Sequence, residues 1–185
     1  ALREADCSIA LSTGSEVTRN VSQLVLLDSD FGSMPHVVLE GRRTINNIER
    51  SATLFLVKTI YSILLAFIFI FISRPYPFMP IQLTLTSVVT IGIPSFILAL
   101  EPNKERIRGH FFFNVIGRAI PTALTIILNI IIIMLVSELF KFSFEESSTL
   151  CVILTGYTGF TLLYRLCKPF NLIRFILFIS MLSLF

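Results

Sequence analysis

The stretch Ala52–Ile72, ATLFLVKTIYSILLAFIFIFI, decides the fold: 21 residues with a single charge, Lys58. A helix needs about 20 apolar residues, at about 1.5 Å each, to cross roughly 30 Å of hydrocarbon, and this stretch meets that length. Three further runs repeat the pattern. Phe78–Leu100 has 23 residues and no charge, although Pro80 and Gln82 move its start toward Ile81. Ala119–Ser137 has 19 and Ser147–Tyr164 has 18, both uncharged. A last run, Phe175–Phe185, has 11 residues and reads as a fifth span cut short. The spans are expected at about 51–73, 81–100, 115–137, 147–166 and 171–185. Four such runs predict a mostly α, polytopic transmembrane helical bundle, with the lipid bilayer as its first partner.

The rest of the 185 residues agrees. The chain is 54% hydrophobic and 15% charged, with a mean hydropathy of +0.82, whereas a soluble domain is about 45–50% apolar and about 25% charged. That composition excludes an ordinary soluble enzyme and a disordered tail. Charge is segregated too: residues 1–50 are net −2 and residues 51–185 are net +5. The basic residues lie in short clusters between apolar runs, which argues against a nucleic-acid partner. Cys7, Cys151 and Cys167 follow no disulfide or metal spacing and read as reduced structural thiols. No signal peptide precedes the first run, and the chain opens at Ala1 on polar sequence that reads as mid-stream.

Orientation follows from Lys and Arg in the short loops. Arg42, Arg43 and Arg50 precede the first span; Lys104, Arg106, Arg108 and Arg118 follow the second; Arg165, Lys168 and Arg174 follow the fourth. The opposite loops hold Arg74, and Lys141 beside Glu138, Glu145 and Glu146, a pair of glutamates that reads as a solvated loop. The bias alternates at every crossing. Residues 1–50 are therefore expected in the cytoplasm and Arg74 to Pro80 outside.

Residues 1–50 are too few to form a core of their own. Cys7–Leu11 and Gln23–Leu27 read as two short buried strands, with a turn at Ser12–Gly14 and a Ser-capped helical turn over Ser15–Asn20. This pattern is the end of an α/β sheet. From Gly32 the spacing turns helical, and Val37, Val38, Gly41, Ile45 and Ile48 are spaced for one face. No turn cluster separates Pro35 from Ser73, so one helix of nearly forty residues is expected to run into the first span. Such a rod moves as a unit and transmits motion.

These residues resemble a known family. Ala-Leu-Arg-Glu-Ala-Asp-Cys-Ser-Ile-Ala-Leu (1–11) is similar to the segment after the GDGxND motif of P-type ATPases, an Ala-Leu-Lys-x-Ala-Asp-x-Gly-Ile-Ala-Met type of run. Asp28-Ser29-Asp30-Phe31, Glu40-Gly41-Arg42-Arg43 and Asn46-Asn47 match later signposts of the same family. The resemblance runs through the second span and, more loosely, to the end. It implies that residues 1–31 are the C-terminal remnant of the haloacid-dehalogenase-like phosphorylation domain and 32–50 a cytoplasmic stalk helix. Residues 51–185 would then be membrane helices five to nine of an ATP-driven cation pump, an integral protein of the plasma membrane.

On the same resemblance, the phosphorylated Asp, the nucleotide domain and the magnesium carboxylates belong to an N-terminal half upstream of Ala1. The intact pump would use ATP and Mg2+; this chain alone would bind neither and would be inactive. Catalytic residues are therefore expected nowhere in it. His36 and His110 stand isolated, and no Ser/His/Asp, Cys/His or paired-carboxylate set replaces the absent machinery.

Candidate transport residues come from the polar positions inside the spans. Lys58 lies about one and a half turns inside its run, at a depth that permits either snorkelling to the cytoplasmic interface or service as an internal counter-charge. In the resembling stretch calcium pumps carry a Ser-Asn pair and a Glu three residues on; here those positions are Lys58, Thr59 and Ser62. Pro80-Ile81-Gln82-Leu83 and Gly92-Ile93-Pro94 resemble the Pro-Val-Gln-Leu and Gly-Leu-Pro of calcium pumps, but the Asn, Thr and Asp ligands between them are replaced by Ser87, Thr90 and Ile91. Ser87, Thr90 and Pro94 follow i, i+3, i+7 spacing and so share a face. Pro94 also frees a carbonyl one turn earlier. Helix packing through hydroxyls is the plainer reading of the same residues.

A divalent cation stripped of water takes several oxygens, normally including carboxylates. The spans supply none. Their further interior polar residues are Thr122, Thr125, Asn129, Thr155, Tyr157 and Thr158. The metal, if any, is unassigned, and the cargo is a cation of unknown identity, with an organic or lipid cargo as the alternative. A free-standing multi-span protein or degenerate fragment without transport is the third reading, against which the orphaned strand edges argue.

Overall fold

The computed structural model describes residues 3–72 and 75–185. Expectations about Ala1, Leu2, Ser73 and Arg74 lie outside the described residues. Two compact units divide the chain, Ala1–Gly41 and Arg42–Phe185.

The first unit carries β1 (Ile9–Leu11), α1 (Glu16–Val21) and β2 (Leu24–Leu26). The strands are parallel, in the register Ile9↔Leu24, Ala10↔Val25, Leu11↔Leu26. A parallel pair needs a crossover, and α1 provides a very short one, capped by Ser15, whose hydroxyl accepts from the Thr18 N–H at 3.2 Å. Ser8 closes the entry to β1: its buried hydroxyl accepts from the Gln23 N–H at 3.0 Å. The strands are narrower and less buried than their apolar runs suggest. Ala10 and Leu26 are enclosed, while Leu27 is 82% exposed.

A 3-10 turn, Phe31–Ser33, leads into α2, Met34–Phe71, a single helix of 38 residues. The stripe Val37, Val38, Ile45 and Ile48, spaced for one face of the helix, is exposed, as is Gly41. Asn47, Glu49 and Arg50 are buried in its place. At Asn47 and Arg50 the reason is contact with the link that follows the next span, which offers carbonyls and a carboxylate rather than apolar side chains.

The second unit is a helical bundle. The second span is broken into α3 (Pro80–Ser87), a π-helical turn (Val88–Gly92) and α4 (Ile93–Leu100); then come α5 (Phe111–Phe140), α6 (Phe144–Leu166) and α7 (Leu172–Leu184). Four of the spans are long and apolar enough to cross a membrane, while α7 is a shorter apolar helix. The glutamate pair expected in a solvated loop sits instead in the first turn of α6. There the Glu146 carboxylate accepts from the Ser143 N–H at 2.8 Å, and both negative charges face the helix's positive end.

Two clusters make the core, and α6 contributes to both. Leu54, Tyr61 and Leu65 of α2 join a cluster with Ala119, Ala123, Ile126 and Ile130 of α5 and Cys151 and Leu162 of α6. A second cluster gathers Val89, Leu98, Phe160, Leu163, Leu177 and Met181. In a bilayer, lipid tails are as apolar as these side chains, so close packing and polar cross-links hold helices together rather than water exclusion. Small residues at Ala119 and Ala123 fit that mode. The opposite faces carry exposed Phe55, Phe67, Ile70 and Phe71, as a lipid-facing surface should.

Twelve described Ser and Thr hydroxyls, among them Thr53, Thr86, Ser87, Thr90 and Thr158, donate back to the carbonyl four residues earlier. Each hides a polar group inside its own helix.

Candidate functional site

The second span changes geometry where its sequence reads Val-Val-Thr-Ile-Gly before Ile93-Pro94. Proline has no N–H and cannot close an α-helical bond to the residue four back. The backbone widens by one residue instead: the Ile93 N–H donates to the Val88 carbonyl, five residues earlier. Such π-turns occur frequently at functional sites. This one packs against α6 and α7.

Around it lies a small, partly open space of about 20 Å³, bordered by Tyr61, Thr86, Ser87, Thr90, Thr155 and Gly159 among others. That volume holds about one water-sized guest. Thr90 is buried and its hydroxyl donates to the Thr86 carbonyl at 2.7 Å; Ser87 donates to the Leu83 carbonyl at 2.5 Å. Thr155, 4% exposed, has a hydroxyl with no hydrogen-bond partner. An unsatisfied buried hydroxyl costs about 1–3 kcal/mol, so its position is either strained or kept for a guest. Gly159 permits the close approach: a Cβ there would come within 3.2 Å of the Thr90 methyl. No carboxylate borders this space.

Of the positions singled out from sequence, Ser87 and Thr90 face the cavity. Pro94 is buried but does not line it. The extra residue of the π-turn breaks the 3.6-residue phase on which their shared face was reckoned. Lys58 and Ser62 are half-buried and outside the cavity lining, and Thr59 is exposed, donating to the Phe55 carbonyl at 3.1 Å. Among the interior polar residues, Asn129 reaches Thr158 across α5 and α6 at 3.3 Å, whereas Tyr157 and Thr125 face outward. Tyr61, Thr86 and Thr155 were not singled out as site residues. The Gly-Ile-Pro sequence after Thr90 is the signal that pointed nearest.

A second polar centre was missed entirely. Glu101, just past α4, is 6% exposed and meets Arg174 Nε at 2.6 Å and Arg50 Nη1 at 3.4 Å. Asn171 donates to its other oxygen, and Asn47 donates to the Glu101 and Ala99 carbonyls, each at 2.8 Å. Arg174 also donates to the Pro169 carbonyl at 2.6 Å. Three elements (α2, the end of α4 and α7) are tied at one carboxylate. Beside it Cys167 is fully buried, and burial pushes its thiol up to about 11. The described residues hold no group of three His, Cys, Asp or Glu able to bind a metal.

Apolar helices of spanning length, satisfied internally and dressed outward with Phe and Ile, define an integral membrane protein of the polytopic helical class. No protein-family model matches the chain. It is 40% identical over 187 residues to the probable cation-transporting ATPase exp7 of Streptococcus pneumoniae, covering 97% of this chain and 24% of that protein. To the calcium-transporting ATPase CtpE of Mycobacterium bovis it is 39% identical over 185 residues, 92% of this chain and 23% of the relative. The CtpE of Mycolicibacterium smegmatis is 46% identical over 136 residues, 68% of this chain and 17% of the relative. The chain belongs to the P-type cation-transporting ATPases. It spans about a quarter or less of the length of these curated relatives.

Proposed function

We propose that this chain is the C-terminal membrane part of an ATP-driven cation pump of the plasma membrane, and that the π-turn cavity is part of the cation's path. Identity over 97% of the chain to a cation-transporting ATPase supports this reading most directly. In it, residues 1–31 end the phosphorylation domain, 32–50 form the stalk and the remaining helices are the fifth to the ninth. ATP and Mg2+ bind in the N-terminal part of the pump, and this chain alone is inactive. Its own residues bind and orient: Ser87, Thr90 and Thr155 offer hydroxyl oxygens, and Pro94 leaves a carbonyl of the preceding turn without its helical donor.

The mycobacterial relatives are named for calcium. A divalent cargo takes carboxylate ligands, which this cavity lacks, so acidic ligands would come from helices outside this chain. Lys58 then acts as an internal counter-charge that neutralises those acids once the cargo has left.

Immunoblotting of source membranes with an antibody to residues 1–50 tests the reading. A band several times heavier than 20.9 kDa is expected, with cation-dependent phosphorylation by ATP. A band at 20.9 kDa without phosphorylation overturns it.

A further inference from the structure

Two cavities open side by side at the bundle end that the Lys/Arg bias assigns to the cytoplasm. Their volumes are about 340 and 480 Å³, and both are bordered by Asn46, Glu49, Glu105 and Arg118. Six Arg or Lys side chains and two carboxylates line the pair. Arg118 is committed to Glu49 at 3.1 Å, and Arg50 to Glu101 at 3.4 Å. Arg106, Arg108, Arg165 and Lys168 have no ion pair among the described residues. Lys168 Nζ lies 4.7 Å from the centre of the Tyr164 ring, a contact that leaves its ammonium donors free. Gly117 borders the first cavity, and a Cβ added there would meet nothing within 4 Å, so a longer side chain at this position has room to grow into it.

The depth of these cations selects the ligand. Arg50 immediately precedes the first apolar run, Arg165 is in the last turn of α6, and Arg118 lies seven residues along α5, about 10 Å by helix rise. They sit at head-group level, where basic pockets between helices receive anionic lipid head groups. A cavity of a few hundred Å³ also matches a small polar ligand.

We propose that this pocket binds the phosphate head group of an anionic phospholipid, such as phosphatidylglycerol, from the cytoplasmic leaflet. The phosphodiester sits between Arg165 and Lys168 while its acyl chains remain in the bilayer. The inference does not depend on pumping.

Native mass spectrometry of the protein purified from its membrane, offered equal phosphatidylglycerol and phosphatidylcholine, tests it. The wild type should retain phosphatidylglycerol with a preference that falls by about thirtyfold in Arg165→Gln/Lys168→Gln, as two interfacial cations predict. Gly117→Leu, which fills the cavity without changing charge, should lose retention as well. Arg165→Lys/Lys168→Arg and Lys104→Gln, the latter outside the cavities, should keep it. Absence of a wild-type preference, or a preference unchanged in both disabling variants, overturns the proposal. So does displacement of the lipid by millimolar inorganic phosphate, which would assign the site to a soluble anion.

Discussion

The same helical bundle treats buried polarity in two opposite ways. At one end, Glu101 is held by Arg174, Arg50 and Asn171. Inside the span, Thr155 has no partner and borders an open space beside a π-turn. In the first region both oxygens of a buried carboxylate are saturated, although the neighbouring Asn47 Oδ1 has no partner; in the second the buried Thr155 hydroxyl has none at all. A saturated network fixes geometry, because each removal strands a charge. An unfinished one stores a binding opportunity at a standing cost in stability.

Breaking the saturated region should have the largest effect. Glu101→Gln leaves two guanidinium groups facing each other in a buried site, and about 3–5 kcal/mol of stability should be lost. Thermal unfolding of the purified protein in detergent reads this, and an unchanged midpoint would show the knot to be ornamental. Gly159→Val comes next. Its branched side chain would press on Thr90 and cost about 1–3 kcal/mol; under the proposed function it should also weaken cation-dependent phosphorylation.

Thr155→Val sharpens the contrast by its sign. Removing a hydroxyl without a partner should leave stability level or raise it by up to ~1 kcal/mol, while under the proposed function the cation dependence of phosphorylation weakens. If stability falls instead, the hydroxyl was satisfied and the comparison fails. The smallest effect concerns Cys167. A thiol whose folded value is raised from 9.0 to about 11 keeps its proton more firmly when folded. Its contribution is intact below pH 9 and is lost as pH rises toward 11. Cys167→Ser should flatten that alkaline decline in a pH series of melting curves.

Much of the architecture was legible. Length and runs with at most one charge revealed α2, α5 and α6, because a helix in lipid must be predominantly apolar over its crossing. The strand–turn–strand of residues 9–26 was legible from its short apolar runs and the Ser15 cap. What escaped was polar and long-range. Glu101 stands at the edge of an apolar run, where a scan for uncharged stretches stops, and its partners lie 51 and 73 residues away. No periodicity encodes such a meeting. Thr155 escaped for a related reason: a threonine in a span reads as packing until its lost partner is seen in three dimensions. The apolar stripe on α2 is exposed because spacing shows which residues share a face and not what covers it.

The hydroxyls that fold back onto their own helices have a consequence beyond concealment. Each such bond can be re-aimed by one turn about χ1, a ps–ns event where the side chain is free to move, and no backbone bond has to open. The bundle therefore carries a reserve of ready cross-links, silent while neighbouring helices are apart and available as they slide. Helices so equipped can exchange partners step by step, as a zip fastener re-meshes its teeth, without ever leaving an amide exposed to lipid.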